Sequence, residues 1–107
     1  MDSYNYPEQF VNNKNYINQV GVTISVDCGQ DVTTALTYKL EVRRPDGSYV
    51  EWQPIISGGT LLQYTTIAGD LSVPGLYAVQ PYVVLPNGFN GRGETVFFQV
   101  YGYFDYD

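Results

Sequence analysis

A chain of 107 residues with a hydrophobic fraction of 44% is long enough for one domain with one core, and it is too apolar for a disordered chain. Eleven acidic residues against five basic ones give a net charge of -6, and no run of basic residues could neutralise several phosphates, which excludes nucleic acid as a partner. With no His and a single cysteine, Cys28, neither the usual zinc sites nor an intramolecular disulfide can form, so the sequence predicts no cofactor.

The first 19 residues differ in composition from most of the chain. They hold five Asn and three Tyr without sustained alternation of apolar and polar residues, and residues 102–107 are again aromatic and acidic. Disordered tails are normally poor in aromatic residues, whereas interfaces favour Tyr. We therefore expect two arms ordered by contact with a neighbouring chain, with fraying as the alternative. The predicted contact residues are Tyr4, Tyr6, Phe10, Tyr16, Tyr103, Phe104 and Tyr106.

The N-terminal segment does not have the pattern of a secretory signal. Met1 is followed by DSYNYPEQF, which has neither a positively charged region nor an apolar one. No run of about 18 apolar residues occurs in the sequence. We therefore expect neither export by a signal of the chain's own nor a membrane span.

Residues 20–101 alternate between apolar and polar side chains with period two, which is typical of half-buried β-strands. In the first predicted strand, VGVTISVDC, the inward residues are Val20, Val22, Ile24, Val26 and Cys28. In the second, ALTYKLEVRR, they are Leu36, Tyr38, Leu40 and Val42, while Thr37, Lys39, Glu41 and Arg43 face water. The turn PDG then predicts a hairpin to a third strand, SYVEWQPII, with Val50 and Trp52 inward.

Three further strands complete the predicted domain. TLLQYTTI turns Leu62 and Tyr64 inward, and ETVFFQVYGYF turns Val96, Phe98 and Val100 inward. Between them, LYAVQPYVVL is apolar on both faces and predicts a central strand with a bulge or edge segment at Pro81, which has no N–H to donate. Short strands at this spacing, without a capped helical pattern, predict a single all-β domain, an antiparallel β-sandwich over residues 20–101.

The loop PNGFNGRGE is dense in glycine but lies between two predicted strands, so no helix N-terminus could receive a phosphate there. Its side chains at Phe89, Asn90 and Arg92 include residue types that anchor protein or glycan contacts, and we take them as candidate contact residues. Ordinary turn chemistry is the alternative.

Few residues could support catalysis or metal binding. Asp27 and Asp31 bracket CGQ and could share a cation, with Asp70 joining only through a tertiary contact, but calcium requires six to eight oxygen ligands. The alternative is that these carboxylates bond their own turns. Cys28 has an inward register and no His to activate it. The sequence therefore predicts no catalytic residues, no metal site and no enzyme.

The stretch AGDLSVPGLYAVQPYV could be a reactive site or a structural corner. Its residues Asp70, Gly75 and Tyr77 resemble the corner of immunoglobulin-like sandwiches, in which a Tyr hydroxyl bonds back to the preceding backbone. Trp52 on the third predicted strand also suits that pattern. The tight PDG hairpin departs from it, because immunoglobulin domains usually cross between sheets at that point.

Three stretches, YKLEVRRPDGSYVEW, YTTIAGDLSVPGLYAVQPYVVL and GRGETVFFQV, are similar in order and spacing to small immunoglobulin-like structural proteins of tailed bacteriophages and prophages, including domains attached to upper baseplate proteins. The matching framework residues are Pro45, Asp46, Gly47, Trp52, Gly69, Asp70, Gly75, Tyr77, Gly93 and Glu94. The resemblance implies a non-enzymatic virion component in multiple copies, assembled in the host cytoplasm, whose partners are other virion proteins.

Within a virion, one domain with arms and no fibre-like repeat favours a capsid decoration or head accessory protein. A tail or baseplate component is one alternative. A carbohydrate- or surface-binding module, with a host-surface glycan as partner, is another. A flat row of Tyr on one sheet face would favour the glycan, whereas Tyr concentrated in the arms would favour protein contact.

Overall fold

The part of the chain that a computed structural model describes, residues 14–104, contains nine β-strands and no helix. The strands are β1 (Asn15–Tyr16), β2 (Thr23–Asp27), β3 (Thr37–Arg43), β4 (Tyr49–Trp52), β5 (Ile55–Ser57), β6 (Leu61–Thr65), β7 (Gly75–Val84), β8 (Asn90–Arg92) and β9 (Val96–Tyr101). Within these residues no helix is long and apolar enough to cross a membrane.

Two sheets form the sandwich. The large sheet has the order β1-β9-β7-β3-β4, with β8 paired to the C-terminal end of β7, and the small sheet has the order β2-β6-β5. All described strand pairs are antiparallel except β1 and β9, which run parallel. The predicted fold class, an immunoglobulin-like β-sandwich, is confirmed. The β3–β4 hairpin extends the large sheet as in variable-type immunoglobulin domains.

The third predicted strand is divided between the two sheets. The PDG turn keeps β3 and β4 in the large sheet, with Gly47 at a φ of 87° and the Ser48 N–H donating to Asp46 Oδ1 at 2.9 Å. The chain then crosses at Gln53–Pro54 to β5 in the small sheet. The crossing therefore lies one strand later than in the simpler immunoglobulin pattern, and Trp52 lies on β4, at the edge of the large sheet, rather than on β3.

The core lies between the two sheets and follows the predicted alternation where strands are present. Its buried residues include Ile24 and Val26 of β2, Leu40 and Val42 of β3, and Leu62 of β6. Val22, Cys28, Tyr38, Val50, Tyr64, Val96 and Phe98 pack against it, half-buried.

Two residues predicted to face inward are exposed instead. The exposed fraction of Val20 is 62% and that of Leu36 is 69%. Because β2 begins only at Thr23 and β3 only at Thr37, these residues precede the paired strands, and the alternation of a strand does not govern their side chains.

The predicted break at Pro81 is where β7 changes partners. On one side β7 pairs with β3 from Ala78 to Val84, with Pro81 opposite Leu40. On the other side it pairs with β9 as far as Val79 and with β8 from Tyr82 onward. The Pro81 carbonyl accepts the Gly93 N–H at 3.2 Å, so the missing N–H of the proline falls on the same, interrupted side.

Candidate functional site: the chain-end edge and the outer face of the large sheet

The two ends of the described chain meet at one edge of the large sheet, which we call the chain-end edge (β1 and β9). Asn15 is paired with Val100 and Tyr16 with Tyr101. The Tyr16 and Tyr101 rings are 6.0 Å apart, and Lys14 Nζ lies 4.7 Å from the Tyr101 ring centroid. The sheet therefore begins at residue 15, within the predicted N-terminal arm, and Tyr16 contacts the chain's own last strand.

Of the remaining predicted arm residues, the structure describes Tyr103 and Phe104. The exposed fraction of Tyr103 is 62% and that of Phe104 is 89%, so both side chains are turned to solvent. Tyr4, Tyr6, Phe10 and Tyr106 lie outside the described residues.

The three predicted loop contact residues have different surroundings. The exposed fraction of Phe89 is 37%, and its ring lies over Gly91, where an added Cβ would come within 3.0 Å. Asn90 Oδ1 accepts a hydrogen bond from the Tyr82 hydroxyl at 2.6 Å. Arg92 lies on β8 rather than at the loop tip, and its side chain is held by Glu41 of β3.

Asp70 and Tyr77 bond the corner between β6 and β7, and Gly75 begins β7 with a φ of 129°. The Tyr77 hydroxyl donates to the Val73 carbonyl at 2.8 Å, and Asp70 Oδ2 accepts the Ile67 N–H at 2.8 Å. The same oxygen accepts the Tyr64 hydroxyl at 2.7 Å, and burial, followed by the Asp70 carboxylate, raises the pKa of Tyr64 to about 12.

The acidic residues that could have shared a cation cap their own turns. Asp27 Oδ1 accepts the Gly29 N–H at 2.9 Å, and Asp31 Oδ1 accepts the Thr33 N–H at 2.9 Å. Among residues 14–104 no group of three metal-ligating side chains comes together. Cys28 packs against the core, and burial, followed by the charge of Asp27, raises the pKa of its thiol, which disfavours the nucleophilic thiolate.

The outer face of the large sheet, turned away from the core, carries a connected chain of charged groups. Arg92 binds Glu41 through two hydrogen bonds, with Nε to Oε1 at 2.5 Å and Nη2 to Oε2 at 3.0 Å. The Tyr49 hydroxyl lies 3.2 Å from Glu41 Oε2 and 2.8 Å from Glu51 Oε2, and its single proton is shared between them. Lys39 Nζ then binds Glu51 Oε2 at 2.7 Å.

This network shifts the protonation of its members. The Arg92 guanidinium, as the largest influence, holds the pKa of the Glu41 carboxyl below its usual range. Desolvation of its hydroxyl group and then the two carboxylates beside it raise the pKa of Tyr49, although its ring is exposed. Alternation alone placed Lys39 and Glu41 on the outer face, but Arg92 and Glu41 are 51 residues apart, so their pairing depends on the register of three strands.

Beside this network the outer face has a depression of about 530 Å³, which we call the outer groove. Its floor is Ala78 and Gln80 of β7, its sides are Glu41 and Arg43 of β3, Tyr49 of β4 and Arg92 of β8, and Thr95 closes one end.

Among residues 14–104 the tyrosines do not form a flat row on this face. Tyr38, Tyr64 and Tyr77 face the core or pack against it. Tyr49 and Tyr82 face outward, but the Tyr82 ring is already in contact with two cations, those of Lys39 and Arg92, at 5.2 and 5.0 Å from its centroid.

Acid should weaken the Glu41–Arg92 pair. Because the folded-state pKa of Glu41 is lowered, the pair contributes fully above the unfolded-state value of about 4.3 and is lost as pH falls through the folded-state value. We expect Glu41→Gln to cost about 1 kcal/mol or less at neutral pH, with the difference from the parent protein vanishing on acidification. Urea unfolding over a pH series measures this.

The matched control for that series is Glu94→Gln, because Glu94 is exposed and forms neither an ion pair nor a side-chain hydrogen bond with the described residues. Its cost should be near zero at every pH. A Glu41→Gln cost that stays constant from neutral to strongly acidic pH would contradict the assignment of the ion pair.

Comparison with known proteins identifies a fold and no family. No protein-family model matches the sequence, and no curated protein matches it. The crystal structure of CopC from Methylosinus trichosporium OB3b is similar, with a TM-score of 0.57 and 14% sequence identity, over 89% of this chain and 90% of that chain. At this identity the likeness shows a shared fold alone.

Proposed function

We propose that this protein is a non-enzymatic structural component of a bacteriophage virion, a capsid decoration or head accessory protein that attaches to other virion proteins through its two chain ends. The observation that carries the proposal is the chain-end edge. There the chain enters the sheet at β1 and leaves it at the end of β9 on the same edge, with Tyr16, Tyr101 and Lys14 in contact. Because β1 and β9 are parallel, the two chain ends point in opposite directions along this edge, and a neighbouring subunit that lies along the edge can contact both.

The edge itself offers backbone groups to such a neighbour. β1 pairs only with Val100 and Tyr101, so among the described residues the outer edge of β9 from Val96 to Gln99 has no strand partner. Unpaired edges of this kind accept an added strand from another chain. Phe97 on the same strand is 60% exposed and supplies apolar contact area beside the edge.

The chemistry of the described side chains supports a structural role. Asp27, Asp31 and Asp70 are bonded to turn backbone, and Glu41 is bonded to Arg92. The Tyr77 hydroxyl both donates to Val73 O and accepts from Val73 N at 3.2 Å, which commits it to the corner. These groups hold the fold and are not available to react.

A tail or baseplate component would use the same edge, and the preference for the head depends on the single domain without fibre-like repeats. The test therefore separates heads from tails. Tagged full-length chain and a variant lacking residues 1–13 are supplied during infection, and heads, tails and complete particles are resolved on gradients. We expect the full-length chain with the heads, and strongly reduced incorporation of the truncated chain.

This experiment needs a folding check and a control variant. The truncated chain must keep the thermal unfolding midpoint of the full chain, because β1 and the core remain in it. Leu36→Ser is the matched surface control, since Leu36 is 69% exposed and precedes β3, and it should be incorporated normally. Recovery of the full-length chain only as free protein, with none in heads, would overturn the proposal; recovery with tails would reassign it to the tail.

A further inference from the structure

The outer groove has an unusual charge for this protein. The chain carries -6 overall and has only five basic residues, yet the groove is lined by two guanidinium groups, Arg43 and Arg92, and one carboxylate, Glu41. Its lining therefore has one net positive charge. In an acidic protein such a local reversal attracts an anion to that point.

Arg43 is the group that supplies this charge. Arg92 is neutralised by two hydrogen bonds to Glu41, and Lys39 is neutralised by Glu51. Neither ion pair between described residues includes Arg43, and its exposed side chain makes no hydrogen bond to another described side chain. Its planar fork of donors is suited to bind a carboxylate through two parallel hydrogen bonds.

The floor of the groove offers hydrogen bonds to a neutral polar ligand. Gln80 lines the groove and uses its Nε2 donor on the Gly93 carbonyl at 3.0 Å, while its Oε1 atom accepts no hydrogen bond from another described residue and remains an acceptor. Thr95 lines the end of the groove with a hydroxyl that can donate and accept.

Two aromatic rings flank the floor in one row across the sheet. Tyr49 of β4 is opposite Arg43, Arg43 is opposite Ala78, and Ala78 is opposite Phe97 of β9. Tyr49 is 51% exposed and Phe97 is 60% exposed, so both rings are open to contact. A ligand ring with an apolar face can lie over Ala78 between them.

We propose that the outer groove binds an acidic sugar, with the sugar carboxylate on Arg43, its hydroxyl groups on Gln80 and Thr95, and its ring between Tyr49 and Phe97. The volume of about 530 Å³ is within the range of roughly 300–1,000 Å³ that small-ligand sites occupy. The groove lining is on the face of the large sheet and not at the chain-end edge, and Phe97 of β9, which lies beside the lining, is common to both surfaces. Sugar binding therefore does not replace attachment through the arms.

An acidic protein segment fits the groove less well. The groove lies on the face of the large sheet, where β7 is hydrogen-bonded to β3 on one side and to β9 on the other. A bound peptide would find no backbone partners there, since strand addition takes place at edges. A sugar ring does not need them, because its hydroxyl groups bond to side chains.

The test is an NMR titration of the ¹⁵N-labelled full-length chain with sialyllactose and with galacturonic acid, each compared with its neutral counterpart, lactose or galactose. We expect both acids to shift the amides of Arg43, Ala78, Gln80 and Thr95 and to bind at least about tenfold more tightly than the neutral sugars, as one charge-assisted hydrogen-bonded contact provides. Ile24, on the small sheet, is the internal reference and should not shift.

Three variants assign the contacts. Arg43→Met should lose about tenfold or more in affinity for the acids, and Phe97→Ala should weaken both acids and neutral sugars. Lys39→Met is the matched control, since it removes the same charge from the same face but from a residue outside the groove lining. It should leave affinity within about twofold, apart from the loss of long-range attraction that salt screens.

Three results would overturn the proposal. These are equal binding of acids and neutral sugars, unchanged affinity in a folded Arg43→Met protein, and the absence of shifts with either acid at tens of millimolar. Groove shifts with a hexaglutamate peptide, lost in Arg43→Met and accompanied by no binding of either acid, would assign the groove to a protein partner instead.

Discussion

Replacing Gly75 by Ala is expected to lower the free energy of unfolding by about 2–5 kcal/mol, combining the cost of overpacking with that of a strained φ. An added Cβ at this position would lie 2.6 Å from Pro45 Cβ and 2.8 Å from Pro45 Cγ, and the backbone φ is +129°. Because whole domains are stable by only about 5–15 kcal/mol, the thermal midpoint should fall by about 10 °C or more.

Two other glycines separate the causes of that loss. Gly47 has a φ of +87° with no atom within 4 Å of an added Cβ, so Gly47→Ala measures the strained backbone alone. Gly102 has open space and no positive φ, so Gly102→Ala should change stability by less than about 0.5 kcal/mol. In a Pro45→Gly background the added cost of Gly75→Ala should shrink, because the contacted atoms are gone.

Equal losses for Gly75→Ala and Gly47→Ala would show that contact with Pro45 contributes nothing. We expect Gly75→Ala to lose more stability than Gly47→Ala. The difference matters for the fold, because Pro45 is in the β3–β4 turn and Gly75 begins β7. This contact joins the PDG turn to the corner that precedes the central strand.

Truncation of Trp52 to Ala is expected to cost about 3–5 kcal/mol, which is the range for removing a large buried aromatic side chain. Trp52 is 4% exposed, and its ring stacks on Tyr64 with centroids 4.7 Å apart and an interplanar angle of 15°. Since Trp52 is on β4 of the large sheet and Tyr64 on β6 of the small one, the stack links the two sheets.

Urea unfolding followed by far-UV circular dichroism measures this loss, since Trp52 is the chain's single tryptophan and its fluorescence is lost with it. Trp52→Phe should cost less, because it keeps an aromatic ring and removes a buried indole N–H that has no acceptor among the described residues. Tyr103→Ala, at a side chain 62% exposed, is the matched control with no expected change. A Trp52→Ala loss below about 1 kcal/mol would contradict a structural role for the stack.

Sequence patterns predicted the fold class well because side-chain direction along a strand is a local property. Alternation identified Ile24 and Val26 of β2 and Leu40 and Val42 of β3 as inward, and all four are buried. It failed at Val20 and Leu36, where alternation continues past the hydrogen-bonded strand. It also read β4 and β5 as one strand, because an apolar pattern does not reveal that the chain changes sheets at Pro54.

The candidate sites were predictable to different degrees. The corner could be read from Asp70, Gly75 and Tyr77 because its bonds join residues three to six positions apart. The outer groove could not be predicted from the sequence, although Arg43 was predicted to face water. Its lining comes from β3, β4, β7, β8 and the segment before β9, and no local sequence pattern indicates which outward residues of different strands become neighbours.

The sequence by itself determined the all-β class, the PDG turn, the corner and the inward face of most strands, since period-two geometry and turn chemistry act between residues close in the chain. Only the tertiary structure decided that Glu41 meets Arg92, that Gly75 meets Pro45 and that Arg43 opens onto a groove above Ala78. These contacts depend on strand register and sheet order, which are set by packing of the whole core and join residues far apart in sequence.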